Sequence, residues 1–144
     1  MLTIRAQQMK VFQPAAEAAY LRNTVEFLRQ QYAKVAVQLP GGLSLVEQLS
    51  EMDLRAMVAD GIARARGYGM SSEVALSTFV VLMFVAAPNF DTHPLIQRVL
   101  KDEKFAPDAR IDQLWVHTSE QNWEVVKQKY DAAAWRLNDE EEKK

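Results

Sequence analysis

Two side chains near the middle of the chain have the types needed for acid–base chemistry. Asp91 and His93 lie two residues apart in the run Asn89-Phe-Asp-Thr-His-Pro94, and such a pair can transfer protons if a third group orients the imidazole. A structural interpretation is simpler. The run is a turn before a predicted helix, where Asp91 or Thr92 can cap the first backbone amides and Pro94 fits the first turn. A small enzyme that uses Asp91 and His93 is kept as an alternative hypothesis.

The other reactive residue types form no motif that we can assign to a reaction. The chain has two histidines and no cysteine, which leaves a metal short of ligands and removes thiolate chemistry. His117, the second histidine, has only the amides Gln113 and Gln121 at four-residue spacing. Nucleophile elbows, phosphate-binding glycine loops and zinc-protease signatures are missing from the sequence. We predict no catalytic residues, no cofactor and no metal.

Two arginines and a tyrosine lie together where a predicted helix ends. Arg64, Arg66 and Tyr68 belong to the run Gly61-Ile-Ala-Arg-Ala-Arg-Gly-Tyr-Gly69. Positive charge is favourable at a helix C-terminus, which accounts for the arginines structurally. Arginine and tyrosine are also common at binding hot spots. We therefore predict that these three residues, together with Asp91 and His93, contact a binding partner.

All three tryptophans fall in what the pattern predicts to be one final helix. Trp115, Trp123 and Trp135 are separated by eight and twelve residues, which places them within about 120° of one another around such a helix. The simplest interpretation is that they pack on the rest of the core. If Trp123 or Trp135 is exposed, this helix carries an apolar patch for a partner, so these two residues complete the predicted partner contacts.

A long uncharged stretch must form the centre of the fold that positions these residues. It runs from Val74 to Ala87 and reads VALSTFVVLMFVAA. A helix that is apolar on nearly every side has to be enclosed by other helices or by lipid, and a stretch of this length is too short to cross a bilayer. Ser71 or Ser72 can cap it, and Pro88 ends it. The sequence therefore predicts a buried central helix at about 73–87.

The remaining glycines, prolines and serines divide the chain into further helices. Thr3 can cap a first helix to about Phe12, after which Pro14 either kinks it or begins a second helix that extends to about Leu39 and ends at Pro40-Gly41-Gly42. The other predicted features are helix starts at Ser44 and Ser50, a helix ending at Gly67–Gly69, a short helix at 94–101, and a last helix opened by Pro107-Asp108, which Thr118-Ser119 can interrupt. We predict an all-α fold in which about five to seven helices of one domain, 1–138, surround the central helix, and a charged, frayed end at 139–144.

Composition narrows the classes of partner and the cellular location. Of the 144 residues, 49% are hydrophobic and 25% are charged, and the net charge is −2. Basic residues are interspersed with acidic ones, so no region of one sign can hold nucleic acid or an anionic membrane. The opening run MLTIRAQQMK has no apolar signal core. We expect a cytoplasmic protein without a membrane span, with self-association open.

The same residues carry a resemblance to a known family. The run Asp60–Gly69, followed by Glu73, Phe79, Leu82-Met83-Phe84 and Asn89–Pro94, resembles small helical proteins encoded beside type VI secretion genes in proteobacteria. Ile4, Gln8-Met9 and Ala109–Asp112 extend the likeness over most of the chain. Asn89, His93 and the Pro40-Gly-Gly run depart from the family pattern. The family has no assigned chemistry, and its genes lie among those for spike proteins and secreted toxic effectors.

The resemblance implies a function in protein binding. Our first hypothesis is a non-catalytic adaptor or chaperone that binds an effector or spike component in the cytosol, through an apolar groove or the outer face of the last helix. The alternative is an immunity protein that covers the active site of a toxin. In that case the acidic residues Glu47, Glu51, Asp53 and Asp139–Glu142 would meet a basic surface.

Overall fold

The structure, a computed structural model, describes the backbone of residues 2–135 and the side chains of residues 17–135. Its helices and strands are α1 (Leu2–Gln31), β1 (Ala36–Leu39), β2 (Gly42–Leu45), α2 (Glu51–Gly67), α3 (Glu73–Val85), α4 (Pro94–Leu100), α5 (Pro107–His117) and α6 (Glu120–Gln128). Short 3-10 turns occupy Val46–Gln48, Phe90–Thr92 and Ala132–Ala134. The predicted all-α fold is confirmed as a mainly helical one, with a small two-stranded sheet in addition. The predicted charged end at 139–144 lies outside the described residues.

The core is built on α3, at the position predicted for the central helix. Its buried side chains are Ala75, Leu76, Phe79, Val80, Leu82, Met83 and Phe84. α2 packs directly on this face, and Gly61 allows the close approach. A Cβ at Gly61 would lie 2.7 Å from the sulfur of Met83. The uncharged stretch is thus buried mainly through one broad face, against α2 and the elements that follow it.

Serine caps set the starts of the two central helices as predicted. Ser50 accepts a hydrogen bond from the Asp53 amide at 3.0 Å, and Ser72 accepts one from the Ala75 amide at 3.1 Å. Each bond satisfies one of the backbone amides that a helix start leaves unpaired. The helix start predicted at Ser44 is wrong, because Ser44 lies in β2.

A β-hairpin replaces the predicted end of the second helix. α1 is one helix from Leu2 to Gln31 where two helices, or one kinked helix, were predicted, and the chain then enters β1 well before Leu39. β1 and β2 are antiparallel with Leu39 opposite Gly42, so Pro40-Gly41 is the turn. Gly42 has φ of 144°, which favours glycine. The hairpin is the main departure from an all-helical chain.

The predicted last helix is three separate elements. Ser119 caps α6 by accepting from the Asn122 amide at 3.3 Å, so the chain breaks at Thr118-Ser119, where the sequence allowed an interruption. A further 3-10 turn at Ala132–Ala134 precedes Trp135. The three tryptophans therefore do not share one helix. In the described part of the chain, no helix combines the length and apolar character needed to cross a membrane.

Candidate partner-binding site

Three of the predicted partner contacts meet in a partly buried polar cluster. Arg64 and Tyr68 lie one turn apart at the end of α2, so they share a face of that helix. Both reach Asp91, in the 3-10 turn between α3 and α4. Arg64 forms an ion pair with Asp91 Oδ1, and the Tyr68 hydroxyl donates to Oδ2 at 2.8 Å. We call Arg64, Tyr68 and Asp91 the latch, because they fasten the end of α2 to the α3–α4 connection.

The latch uses its polar groups for internal contacts. Arg64 also donates to the Pro88 carbonyl at 2.8 Å, and its guanidinium lies 5.6 Å from the centroid of the Phe79 ring. Asp91 is 6% exposed. Burial, followed by the negative charge of Asp91, raises the pKa of Tyr68 to about 12, so the tyrosine keeps the proton that it donates even at pH values where a free tyrosine ionises. The latch thus stabilises the fold by pairing these polar groups within the chain.

A shallow concavity of about 580 Å³ borders the latch, and its cations are also largely committed to the chain. Arg110 lies in it and donates to the Phe105 carbonyl at 2.9 Å, and to the Tyr68 and Leu100 carbonyls at 3.4 Å. Lys101 and Glu103, of opposite charge, line the rest. Among the described residues, no group of three or more histidine, aspartate and glutamate side chains is placed to hold a metal.

The prediction that Asp91 or Thr92 caps the next helix is wrong. His93 is the cap of α4, where its Nδ1 accepts a hydrogen bond from the Leu95 amide at 3.1 Å, and Pro94 occupies the first turn as predicted. The Asp91 carboxylate cannot serve there because Arg64 and Tyr68 already hold it. Asp91 and His93 are thus engaged separately, and neither orients the other.

Arg66 lies apart from the latch. It forms an ion pair with Glu17 of α1 at 2.5 Å, which ties the end of α2 to the first helix. His93 lines a different pocket, together with Val126 and Lys129. The seven predicted contacts therefore do not form one surface. Only Arg64, Tyr68 and Asp91 come together.

The tryptophans differ from the prediction in which of them faces outward. Trp135 is 0% exposed, with its ring against Phe84 and its indole N–H donating to the Tyr130 hydroxyl at 2.7 Å. Trp123 is half-buried and packs on the core. Trp135 is therefore not a contact surface. Trp115 is the exposed one, at 53%, and it stacks on Trp123 with ring centroids 5.9 Å apart.

A stripe along α3 is only partly covered by the other described residues, and it forms the floor of a groove whose walls are mostly apolar at the Val74 end and mixed polar and apolar at the Val85 end. Along the stripe lie Val74, Thr78, Val81 and Val85. Val74 and Val85 are exposed, Val74 at 76%, whereas Thr78 and Val81 between them are half-buried. α1 and Tyr32 form one wall, and α5 and α6 form the other. We define the α3 groove as two adjoining concavities of about 650 and 630 Å³ that share Leu82 and Trp115. The remaining lining residues are Tyr20, Asn23, Thr24, Phe27, Tyr32, Glu73, Ser77, Ala86, Thr118, Ser119, Glu120, Trp123, Glu124 and Lys127.

The hydroxyl groups on the floor of the groove already have partners within the chain. Thr78 donates to the Val74 carbonyl at 2.8 Å, and Ser77 shares a hydrogen bond with the Tyr20 hydroxyl. Tyr20 also donates to the Glu73 carbonyl at 3.0 Å. An apolar occupant therefore leaves no unsatisfied polar group on the floor, and aromatic walls of this kind are typical of binding surfaces.

The sequence pattern contained a signal for this groove that the prediction of an enclosed helix did not use. We call Val74, Thr78, Val81 and Val85 the seam. They are spaced by four, three and four residues, which is the spacing of helix residues that pack along one further helix. The described chain supplies no helix for that seam. Trp115 and Phe27, on opposite walls, could not be assigned from sequence because their elements meet only in the fold.

The chain matches no protein-family model, and comparisons with curated proteins and with solved structures find no similar protein. The α3 groove and the latch are therefore interpreted from their geometry in this structure.

Proposed function

We propose that this protein is a non-catalytic accessory that binds another protein through the α3 groove. The observation that carries the proposal is the partly covered seam of α3, bordered by Trp115 on one side and Phe27 on the other. Monomeric domains seldom leave a contiguous apolar concavity of this kind without a partner. Exposed aromatic residues at its rim supply the anchors that binding hot spots commonly use.

We propose further that the partner is an effector or spike component of a type VI secretion system, and that the protein acts as its adaptor or chaperone. The support for this context is the resemblance of the residues from Asp60 to Pro94 to proteins of such loci. A non-catalytic role is consistent with the latch, in which both carboxylate oxygens of Asp91 hold the fold together, and with His93, whose Nδ1 caps a helix.

The second candidate is an immunity protein, and the acidic surface that motivated it is partly neutralised within the chain. Glu47 forms an ion pair with Lys34 at 2.8 Å, and Glu51 lies 3.9 Å from Arg29. Asp139–Glu142 lies outside the described residues. Because Glu47 and Glu51 already face cations of the chain, they are less suited to meet a basic toxin, and the adaptor is the function that we favour.

The test of groove binding uses purified effector and spike proteins from the locus that encodes the chain, with affinities measured by calorimetry. Trp115→Ala is expected to weaken binding at least 30-fold, about 2 kcal/mol, as for a hot-spot residue. Val74→Gln is expected to weaken it about tenfold. Val116→Gln is the matched control, because Val116 is equally exposed at 70% but lies outside the groove, and we expect less than a twofold change.

The proposal fails if Val74→Gln and Val116→Gln bind every tested effector and spike protein alike. A strain that lacks the gene distinguishes the two candidates. Loss of effector secretion with normal survival supports the adaptor. Normal secretion with self-intoxication, cured by re-expression, supports the immunity protein.

A further inference from the structure

We infer that the α3 groove accepts a short amphipathic helix with basic flanks, supplied by the protein partner. The inference rests on the proposed function, because it specifies the chemistry of whatever the groove binds. Three features carry it: the spacing of the seam, the charges at its two ends, and the exposed face of Trp115.

The seam fixes the shape and length of the occupant. Side chains spaced by four, three and four residues form a line that a second helix follows at a small crossing angle, with its own apolar residues at the same spacing. From Val74 to Val85 the seam extends roughly 16 Å at the rise of an α-helix. A partner helix of about three turns covers that length. A longer helix would extend past the ends of the seam.

The charges at both ends of the groove select a basic occupant. Glu73 lies beside Val74 at one end, and Glu120 and Glu124 lie on α6 at the other. Among the residues described as lining the groove, Lys127 carries the single positive charge. Lysine or arginine on the flanks of a bound helix would therefore meet carboxylates at each end.

Trp115 adds a contact suited to the same chemistry. One face of its ring is covered by Trp123, and the side chain is otherwise half exposed at the middle of the groove. A cationic side chain of the partner placed over the open face gains the attraction between a cation and an aromatic ring. An acidic side chain there gains nothing.

The same charges disfavour a second copy of the chain as the occupant. If two seams paired around a two-fold axis, the Glu73 end of one copy would face the Glu120 and Glu124 end of the other. Carboxylates would then oppose carboxylates at both ends, which is unfavourable. A basic helix from a different protein is the better fit.

The test uses two labelled helical peptides of about 14 residues, identical in their seam-spaced leucines and different in their flanks, which carry lysine in one and glutamate in the other. Fluorescence anisotropy with the full chain measures both affinities. We expect the lysine peptide to bind at least tenfold more tightly, with the difference shrinking as salt is raised. Glu124→Lys should reduce that preference at least threefold. Glu103→Lys, a charge reversal at the concavity beside the latch, should leave it unchanged.

Equal binding of the two peptides, or tighter binding of the glutamate peptide, overturns the inference. So does failure of both peptides to bind, or a dimer in sedimentation that Val74→Gln dissociates. None of these results decides the proposed function, which is judged separately by the effect of Val74→Gln on effector and spike proteins. An inverted charge preference together with a Val74-sensitive effector would mean that the groove binds a partner of different chemistry.

Discussion

Removing the Asp91 carboxylate separates the two interpretations of this residue, as a helix cap and as the centre of the latch. In the latch, Asp91→Ala removes the nearer ion-pair partner of Arg64 and leaves the more distant Asp60, 3.8 Å away on the same helix. Breaking a buried pair costs about 3–5 kcal/mol. We take the lower end, about 3 kcal/mol, because the Arg64 side chain is 25% exposed and keeps both Asp60 and the Pro88 carbonyl. The Tyr68 hydroxyl loses its acceptor, which adds about 1 kcal/mol. The expected loss is about 4 kcal/mol, against about 1 kcal/mol for a cap.

Urea unfolding followed by circular dichroism and tryptophan fluorescence measures this loss by linear extrapolation. Thr92→Ala is the matched control, since Thr92 is exposed and its hydroxyl only donates locally to the Asn89 carbonyl at 2.7 Å; it should cost no more than about 1 kcal/mol. Repeating Asp91→Ala in an Arg64→Met background should reduce its cost by about 2 kcal/mol. A loss of 1 kcal/mol or less that is the same in both backgrounds would refute the latch.

Three further perturbations test the fold around the site. As the pH rises from about 10 to about 12, tyrosine in the unfolded chain releases its proton while folded Tyr68 keeps it, so the free energy of unfolding falls across that window. Urea titrations at alkaline pH should show a smaller fall for Tyr68→Phe. Part of the fall should remain, because burial also raises the pKa of Tyr130. Gly69→Ala should cost about 2 kcal/mol of unfolding free energy, because Gly69 has φ of 98° and a Cβ there lies 3.0 Å from Pro107, whereas Gly67→Ala, with open space around it, should cost nothing. Trp135→Ala should lower the free energy of unfolding by about 4 kcal/mol. A variant of unchanged stability with weakened partner binding would contradict the burial of Trp135 and indicate that its side chain is a partner contact.

The parts of the fold that local chemistry determines could be predicted from the sequence. The side chains of Ser50 and Ser72 accept hydrogen bonds from first-turn amides of α2 and α3. A serine just before an apolar run is typical of a helix N-cap. The uncharged composition of α3 is enough to place it in the core. These predictions need only a few neighbouring residues, and the structure confirms them.

The hairpin was missed although its signal is local. Val35 and Val37 alternate with less apolar residues before Pro40-Gly41, and alternation resumes after Gly42, which is typical of two strands around a turn. The prediction gave weight to a helical stripe that passes through Val35. Two β-branched residues and a Pro-Gly turn outweighed that stripe.

The latch could not be derived from the sequence because its members are distant in the chain. Asp91 in a turn before a proline has the sequence context of a cap, and nothing local indicates that Arg64, 27 residues earlier, reaches it first. The groove depends even more on tertiary structure. Trp115 and Trp123 lie on different helices because the chain breaks at Thr118-Ser119, so an angle computed along one continuous helix does not apply.

The proposed protein-binding surface is the seam of α3. Methyl NMR of the valine-labelled chain, titrated with its effector or spike partner, tests this assignment most directly. We expect the methyl signals of Val74, Val81 and Val85 to shift together as the complex forms, while those of Val116 stay unchanged. Shifts at Val116 with an unperturbed seam would contradict the assignment of the α3 groove as the binding site.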